Sequence, residues 1–277
     1  MGAPNSFDAI GHVCFYERNA NKNWEPKRKL TGPWNQWSYF GASVAIHDKY
    51  VLVGAPGDEN EDQAGAAYIF ERLDDGAFAE SKALVPQENG KLGTGFGSSV
   101  AIDGNWALVG SPDAGHKDKG HVSFYKRKKN GNWVFKQKIA PGNAKRDDRV
   151  GVSVAIHDDY ALLGSDLGAA WIYKRNANGV WKQKQKIAYM TPPPERRTGS
   201  GASMVDLRYE YAILGGGRRA AFLYKRRADG VYVKKETIRV PTDTLDPWDF
   251  GMAVSISKNN LLVGGLRRSA FVYELDR

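Results

Sequence analysis

Apolar and polar positions along this chain fall into short segments separated by clusters of Gly, Asn, Asp and Pro. In SVAI (43–46), Val44 and Ile46 alternate with small residues, the period of a half-buried strand. YVLVG (50–54) is nearly continuous in apolar residues, as expected of a strand covered on both faces. AAYIFER (66–72) and FAESKAL (78–84) follow, joined through LDDG (73–76), and Asp-Gly at such a junction is a strong hairpin signal. The pattern predicts four consecutive antiparallel strands, here called A to D.

The same four-strand pattern returns along the chain. FGASVAIHDKYVLVGAP (40–56) recurs as FGSSVAIDGNWALVGSP (96–112), VGVSVAIHDDYALLGSD (150–166), SGASMVDLRYEYAILGG (200–216) and FGMAVSISKNNLLVGG (250–265). The starts lie 56, 54, 50 and 50 residues apart. Strand C recurs as HVSFYKR (121–127), AAWIYKR (169–175), AAFLYKR (220–226) and SAFVYEL (269–275). Strand D recurs as WVFKQKI (133–139), WKQKQKI (181–187) and YVKKETI (232–238), with KKNG, NANG and RADG as the C–D turns. A meander repeated at this period predicts an all-β fold, a β-propeller of four-stranded antiparallel blades.

The opening MGAPNS fits this scheme as a fragment. Gly2-Ala3-Pro4 matches the end of strand B, GHVCFYER (11–18) matches C, and NWEPKRKL (23–30) matches D. Residues 250–277 supply A, B and C. The expectation is one domain over 1–277, with five blades closed by pairing of N- and C-terminal strands. Its blades span 40–95, 96–149, 150–200 and 201–249, and the fifth joins 250–277 with 1–39. Six blades, or a fragment of a larger propeller, are the alternatives.

The Phe-Gly and Gly-Ala-Pro pairs that bracket SVAIxxxYxLVGAP resemble the FG-GAP repeat, the blade motif of integrin α-subunit-like propellers. The resemblance covers essentially the whole chain, and weakens where Phe-Gly becomes Val150-Gly151 and where Gly-Ala-Pro becomes Gly164-Ser165-Asp166. It implies the propeller fold, a bias toward adhesion or protein and glycan binding, and an extracellular or cell-surface setting. The family's A–B calcium loops do not transfer, because the A–B turns here are short and lack the carboxylate ladder.

The 277 residues carry +9 formal charge, unevenly distributed. Residues 40–95 hold a net −6, residues 96–149 a net +6 and residues 150–277 a net +7. Such asymmetry bears on partners rather than on fold. The one cysteine, Cys14, excludes an internal disulfide. No segment approaches the ~20 apolar residues of a membrane helix, and no signal peptide is visible.

No phosphate loop, zincin motif or nucleophile elbow occurs. Ser43, Ser99 and Ser153 recur at one position of strand A, which fits packing better than a single nucleophile. Asp58, Asn60 and Asp62 stand at alternate positions of an acidic loop, a weak calcium candidate lacking the glycine and bidentate glutamate of a full site. No other cofactor is indicated. The D–A and B–C connections share one rim, which gathers Trp34, Trp37, Arg146, Arg149, Arg196, Arg197, Arg218, Arg219, Trp248, Arg267 and Arg268. Exposed tryptophan beside arginine is hot-spot chemistry. Lysines also line strands C and D, where they blunt edge pairing. The expectation is therefore a non-enzymatic scaffold that docks to a protein partner or larger assembly through this basic face. An acidic glycan or other anionic surface is a possible partner, while nucleic acid is disfavoured because stacking aromatics do not interleave with the lysines. A lectin-like propeller is the alternative, and an enzyme with a central-channel site the second alternative.

Overall fold

The computed structural model describes residues 1–5, 10–32, 38–57, 65–85, 94–188, 204–216, 220–239, 250–265 and 269–275. Its 22 strands form six antiparallel sheets, each a propeller blade. Blade 1 has β1 (Gly2–Ala3), β2 (His12–Arg18) and β3 (Trp24–Thr31). Blade 2 has β4 (Ser43–His47), β5 (Tyr50–Ala55), β6 (Ala66–Arg72) and β7 (Phe78–Leu84). Blade 3 has β8 (Ser99–Asp103), β9 (Trp106–Ser111), β10 (His121–Arg127) and β11 (Trp133–Ile139). Blade 4 has β12 (Ser153–His157), β13 (Tyr160–Gly164), β14 (Ala169–Arg175) and β15 (Trp181–Ala188). Blade 5 has β16 (Val205–Arg208), β17 (Tyr211–Gly215), β18 (Ala220–Arg226) and β19 (Tyr232–Arg239). Blade 6 has β20 (Ala253–Ile256), β21 (Asn260–Gly264) and β22 (Ala270–Glu274).

This corrects the expected count of five. The terminal segments do not share a sheet: β1–β2–β3 and β20–β21–β22 are separate three-stranded sheets, making six. Blade 1 lacks a strand of the A type among the described residues, and the neighbouring strand registers the loss. Val44 and Ile46 on β4 are 41% and 68% exposed, whereas their counterparts Val100 and Ile102 on β8 are 8% and 7% exposed.

The chain divides into two compact units, Met1–Gly115 with Ser123–Lys138, and His116–Val122 with Ile139–Arg277. In each, the core lies between successive sheets rather than inside one, as sheet-on-sheet packing requires. In the first unit Leu52 and Ile69 of blade 2 meet Val100, Ile102 and Val109 of blade 3. In the second, Leu162 and Ile172 of blade 4 meet Leu207 and Leu214 of blade 5.

The Phe-Gly and Gly-Ala-Pro pairs acquire a physical role at these junctions. Within a blade, the Gly97 N–H donates to the Gly110 carbonyl at 3.0 Å, and Gly251 donates to Gly264 at 3.0 Å. Between blades, a Cβ on Gly54 would stand 2.0 Å from the Gly97 carbonyl oxygen, and one on Gly215 would stand 2.2 Å from that of Gly251. The glycine that closes one repeat therefore carries the glycine that opens the next, at a backbone distance that excludes any side chain. The recurring serine joins the same seam. Ser43 Oγ donates to the Gly97 carbonyl at 2.8 Å, and Ser153 Oγ accepts from the Val205 N–H at 3.0 Å. The serine repetition is thus inter-blade packing.

Candidate functional site

In the second unit, the A–B turns of blades 4 and 5 and the C–D turn of blade 5 enclose a cleft of about 590 Å³. This volume suits a small-molecule ligand. Asp158 and Asp159 form the turn between β12 and β13, where His157 pairs with Tyr160 and Asp158 takes a left-handed φ of 53°. Tyr209 and Glu210 form the equivalent turn of blade 5, with Tyr209 at φ 53°. That conformation is tolerated by Asp and unusual for a bulky aromatic. Lys174 and Arg226, from the ends of β14 and β18, and Arg227 to Gly230 complete the lining.

Tyr160 organises the charges. The Arg226 guanidinium carbon lies 4.3 Å from the centre of its ring, and Lys174 Nζ lies 5.3 Å from it. Both cations are held by the quadrupole of one phenol. The Arg226 N–H also donates to the Glu210 carbonyl at 2.7 Å, locking the end of β18 to the A–B turn. The carboxylates differ in commitment. Asp159 is ion-paired with Arg175. Asp229 accepts from the Val231 N–H at 2.9 Å and pairs with Arg227 at 2.5 Å, and this hydrogen bond and cation hold its carboxyl below the ordinary Asp value. Asp158 lies 3.5 Å from His157 Nε2. Glu210 is half-buried and has no ion-pair partner among the described residues. The cleft therefore joins an uncommitted carboxylate to two positioned cations, a set that can take a proton from water and stabilise a developing oxyanion.

Sequence reasoning directed attention to the opposite set of loops. Of the residues expected there, Arg146 and Arg149 are described. The Arg146 guanidinium pairs with Asp147 at 3.3 Å, and Arg149 pairs with Asp166 at 2.6 Å. Their loop is stitched to residues 117–119: Asp147 N–H donates to the Lys117 carbonyl, Arg149 N–H to Asp118 and Val150 N–H to Lys119. Trp34, Trp37, Arg196, Arg197, Arg218, Arg219, Trp248, Arg267 and Arg268 lie outside the described residues, as do Asp58, Asn60 and Asp62 of the weak calcium candidate. The lysines of strands C and D are partly occupied: Lys126 sits 5.5 Å from the Trp106 ring centre, and Lys186 sits 4.6 Å from that of Trp171.

The cleft residues were missed for a physical reason. They come from two blades and from turn positions that differ between repeats, so no contiguous motif contains them. The signal available in sequence was departure from the repeat: the doubled carboxylate of HDDY and the glutamate of RYEY.

Residues 35–70 match the FG-GAP repeat. No curated protein sequence gives a significant match. Among solved structures, a protein from Lactobacillus plantarum is 13% identical, with a TM-score of 0.56 over 99% of this chain and 80% of that one. The periplasmic gluconolactonase PpgL of Pseudomonas aeruginosa is 14% identical, with a TM-score of 0.60 over 97% of this chain and 74% of that one. These likenesses establish a shared β-propeller fold. They also overturn the expectation of a non-enzymatic docking scaffold, since one structure of this fold is an enzyme. The absence of a contiguous motif does not exclude an enzyme on this fold, because functional groups on a propeller can converge from separate turns rather than from one segment.

Proposed function

Starting from a β-propeller that carries the FG-GAP repeat, we propose that the chain is a hydrolase of small hydroxylated esters, with sugar lactones as the substrate class and the cleft beside Tyr160 as the site. The observation that carries this reading is the meeting of half-buried Glu210 with Lys174 and Arg226 in one cleft of about 590 Å³. The periplasmic gluconolactonase of similar fold supports the choice of reaction class. It also supports a location outside the cytoplasm, as does the FG-GAP repeat.

In this mechanism the Glu210 carboxylate takes a proton from water as the oxygen attacks the lactone carbonyl carbon. The carbonyl π electrons move to oxygen, and Lys174 and Arg226 stabilise the resulting oxyanion. Collapse re-forms the C=O bond and breaks the ring C–O bond. The proton held by Glu210 passes to the departing alkoxide, leaving an open-chain hydroxy acid and a regenerated base.

The test is a pH-stat assay with glucono-δ-lactone, corrected for spontaneous opening. Glu210→Gln is expected to lower kcat by about 10²-fold or more, the usual worth of a general base. Wild-type protein indistinguishable from buffer, or Glu210→Gln equal to wild type, would refute the proposal.

A further inference from the structure

Two sheet faces that the inner blades bury stand exposed in blades 6 and 1. Leu52 and Ile69 of blade 2, and Leu162 and Ile172 of blade 4, are each 0% exposed. Their counterparts in blade 6 are Leu262 and Val272, opposite one another on β21 and β22, and these are 43% and 68% exposed. The second face is aromatic. Tyr125 and Trp133 of blade 3, and Tyr224 and Tyr232 of blade 5, are at most 7% exposed. Their counterparts in blade 1, Tyr16 and Trp24, are 40% and 68% exposed.

These are the two halves of one kind of seam. In the first unit Tyr125 and Trp133 pack with Leu52 and Ile69. In the second, Tyr224 and Tyr232 pack with Leu162 and Ile172. The aromatic half also sends an arginine across: Arg127 lies over Tyr50, and Arg226 over Tyr160. Arg18 is their counterpart in blade 1; it is exposed and paired with Trp24 across the β2–β3 ladder. On blade 6 the exposed Glu274 lies two residues beyond Val272 on the same strand. Each exposed face therefore carries the apolar groups of its half-seam and a charge opposite to that of the other.

We propose that the Leu262–Val272 face of blade 6 docks onto the Tyr16–Trp24 face of blade 1 in a second copy of this chain, so that copies join head to tail. The seams inside the chain identify the occupant: a face of the Leu52–Ile69 kind is met by a face of the Tyr125–Trp133 kind, and blade 1 presents such a face exposed. Arg18 of the second copy then meets Glu274, and Trp24 supplies the large aromatic anchor typical of an interface hot spot. Contact between unlike faces leaves each joined pair with one face of each kind still open, so it builds rings or chains of copies. Nothing in this contact depends on the hydrolase reading.

The experiment is analytical ultracentrifugation of the full chain over a wide concentration series. Wild type is expected to show species at multiples of its 30.6 kDa mass, growing with concentration. Val272→Arg sets a cation against Arg18, and Trp24→Glu sets a carboxylate against Glu274. Each variant alone should associate at least about 30-fold more weakly, the worth of one hot-spot residue. Mixed in equal amounts, the two should form a dimer and nothing larger, because the intact blade 1 face of Val272→Arg meets the intact blade 6 face of Trp24→Glu. Both positions are exposed, so both variants should melt with wild type; Leu262→Arg and Tyr16→Glu replace a variant that does not. Wild type that stays monomeric throughout overturns the proposal, as do variants that associate like wild type or a mixture that remains monomeric. Association lost in Val272→Arg and kept in Trp24→Glu would mean that like faces pair, and overturns it as well.

Discussion

Arg226 lays its guanidinium carbon 4.3 Å from the ring centre of Tyr160, and Tyr160 belongs to the preceding blade. The same reach occurs in the first unit, where Arg127 of blade 3 lies 4.6 Å from the ring centre of Tyr50 in blade 2. The Lys-Arg pair that ends strand C is therefore divided in its work. In blade 5 the lysine stays on its own blade, with Lys225 Nζ 5.2 Å from the Tyr211 ring centre, while the arginine ties the blade to the one before.

Arg127 gives the cleaner test of this tie, because it is not among the residues that line the cleft. It donates to the Tyr50 hydroxyl at 2.9 Å and to Asn105 Oδ1 at 2.7 Å. Arg127→Ala removes both bonds and the cation–π contact, and should cost about 2 kcal/mol. Arg127→Lys should recover only a small part, since ammonium cannot span both acceptors in the fork geometry. Urea denaturation midpoints for the three proteins measure the effect.

Gly97 should tolerate no side chain. Its φ is 97°, and a Cβ would lie 2.3 Å from the Ala66 carbonyl oxygen. Gly97→Ala is expected to cost 3 kcal/mol or more, roughly the sum of backbone strain and steric displacement. Gly142 is the contrasting site, with no atom within 4 Å of a built Cβ and no positive φ. Gly142→Ala should be neutral or stabilising by up to about 1 kcal/mol through the unfolded chain. Paired denaturation curves read both.

Asp206 should leave a signature in the pH dependence of stability. It accepts from Leu207 N–H at 2.7 Å, Ile256 N–H at 2.8 Å and Ser255 Oγ at 3.0 Å, tying blade 5 to blade 6. Burial nevertheless raises its carboxyl above the ordinary Asp value, outweighing those bonds. A raised folded-state value means the native state holds its proton more tightly than the unfolded chain. The contribution is therefore fully present below the unfolded value of about 3.9, and is lost as pH rises through the raised value. Asp206→Asn abolishes this titration. The difference in melting temperature, wild type minus variant, should shrink as pH rises from about 4 through the weakly acid range. A difference that is flat or grows across that range contradicts the assignment.

Much of the fold was legible because its determinants are local and repeated. Val-Leu-Val in β5, Ala-Leu-Val in β9 and Ala-Leu-Leu in β13 announce strands covered on both faces, and all three are buried throughout. The blade count was not legible, because sheet membership of the terminal segments depends on tertiary pairing that periodicity does not encode. Gly2-Ala3 makes a strand of two residues that sits against β2 alone among the described strands. The cleft was less legible still. Glu210 and Asp159 look like ordinary turn carboxylates, and what separates them is a neighbour from elsewhere in the chain: Arg175 engages Asp159, and no described residue engages Glu210 in an ion pair. Repetition reveals a scaffold, whereas a site resides in the exceptions to it.

The glycine-on-glycine seam has a bearing on the history of the chain. Gly54 meets Gly97, and Gly215 meets Gly251, so each contact joins a repeat to its immediate successor and reads nothing further away. Whole modules inserted or deleted at such a seam regenerate an identical junction. Blade number can therefore drift by duplication without any new interface being invented, leaving individual turns, such as the one bearing Glu210, free to diverge in sequence.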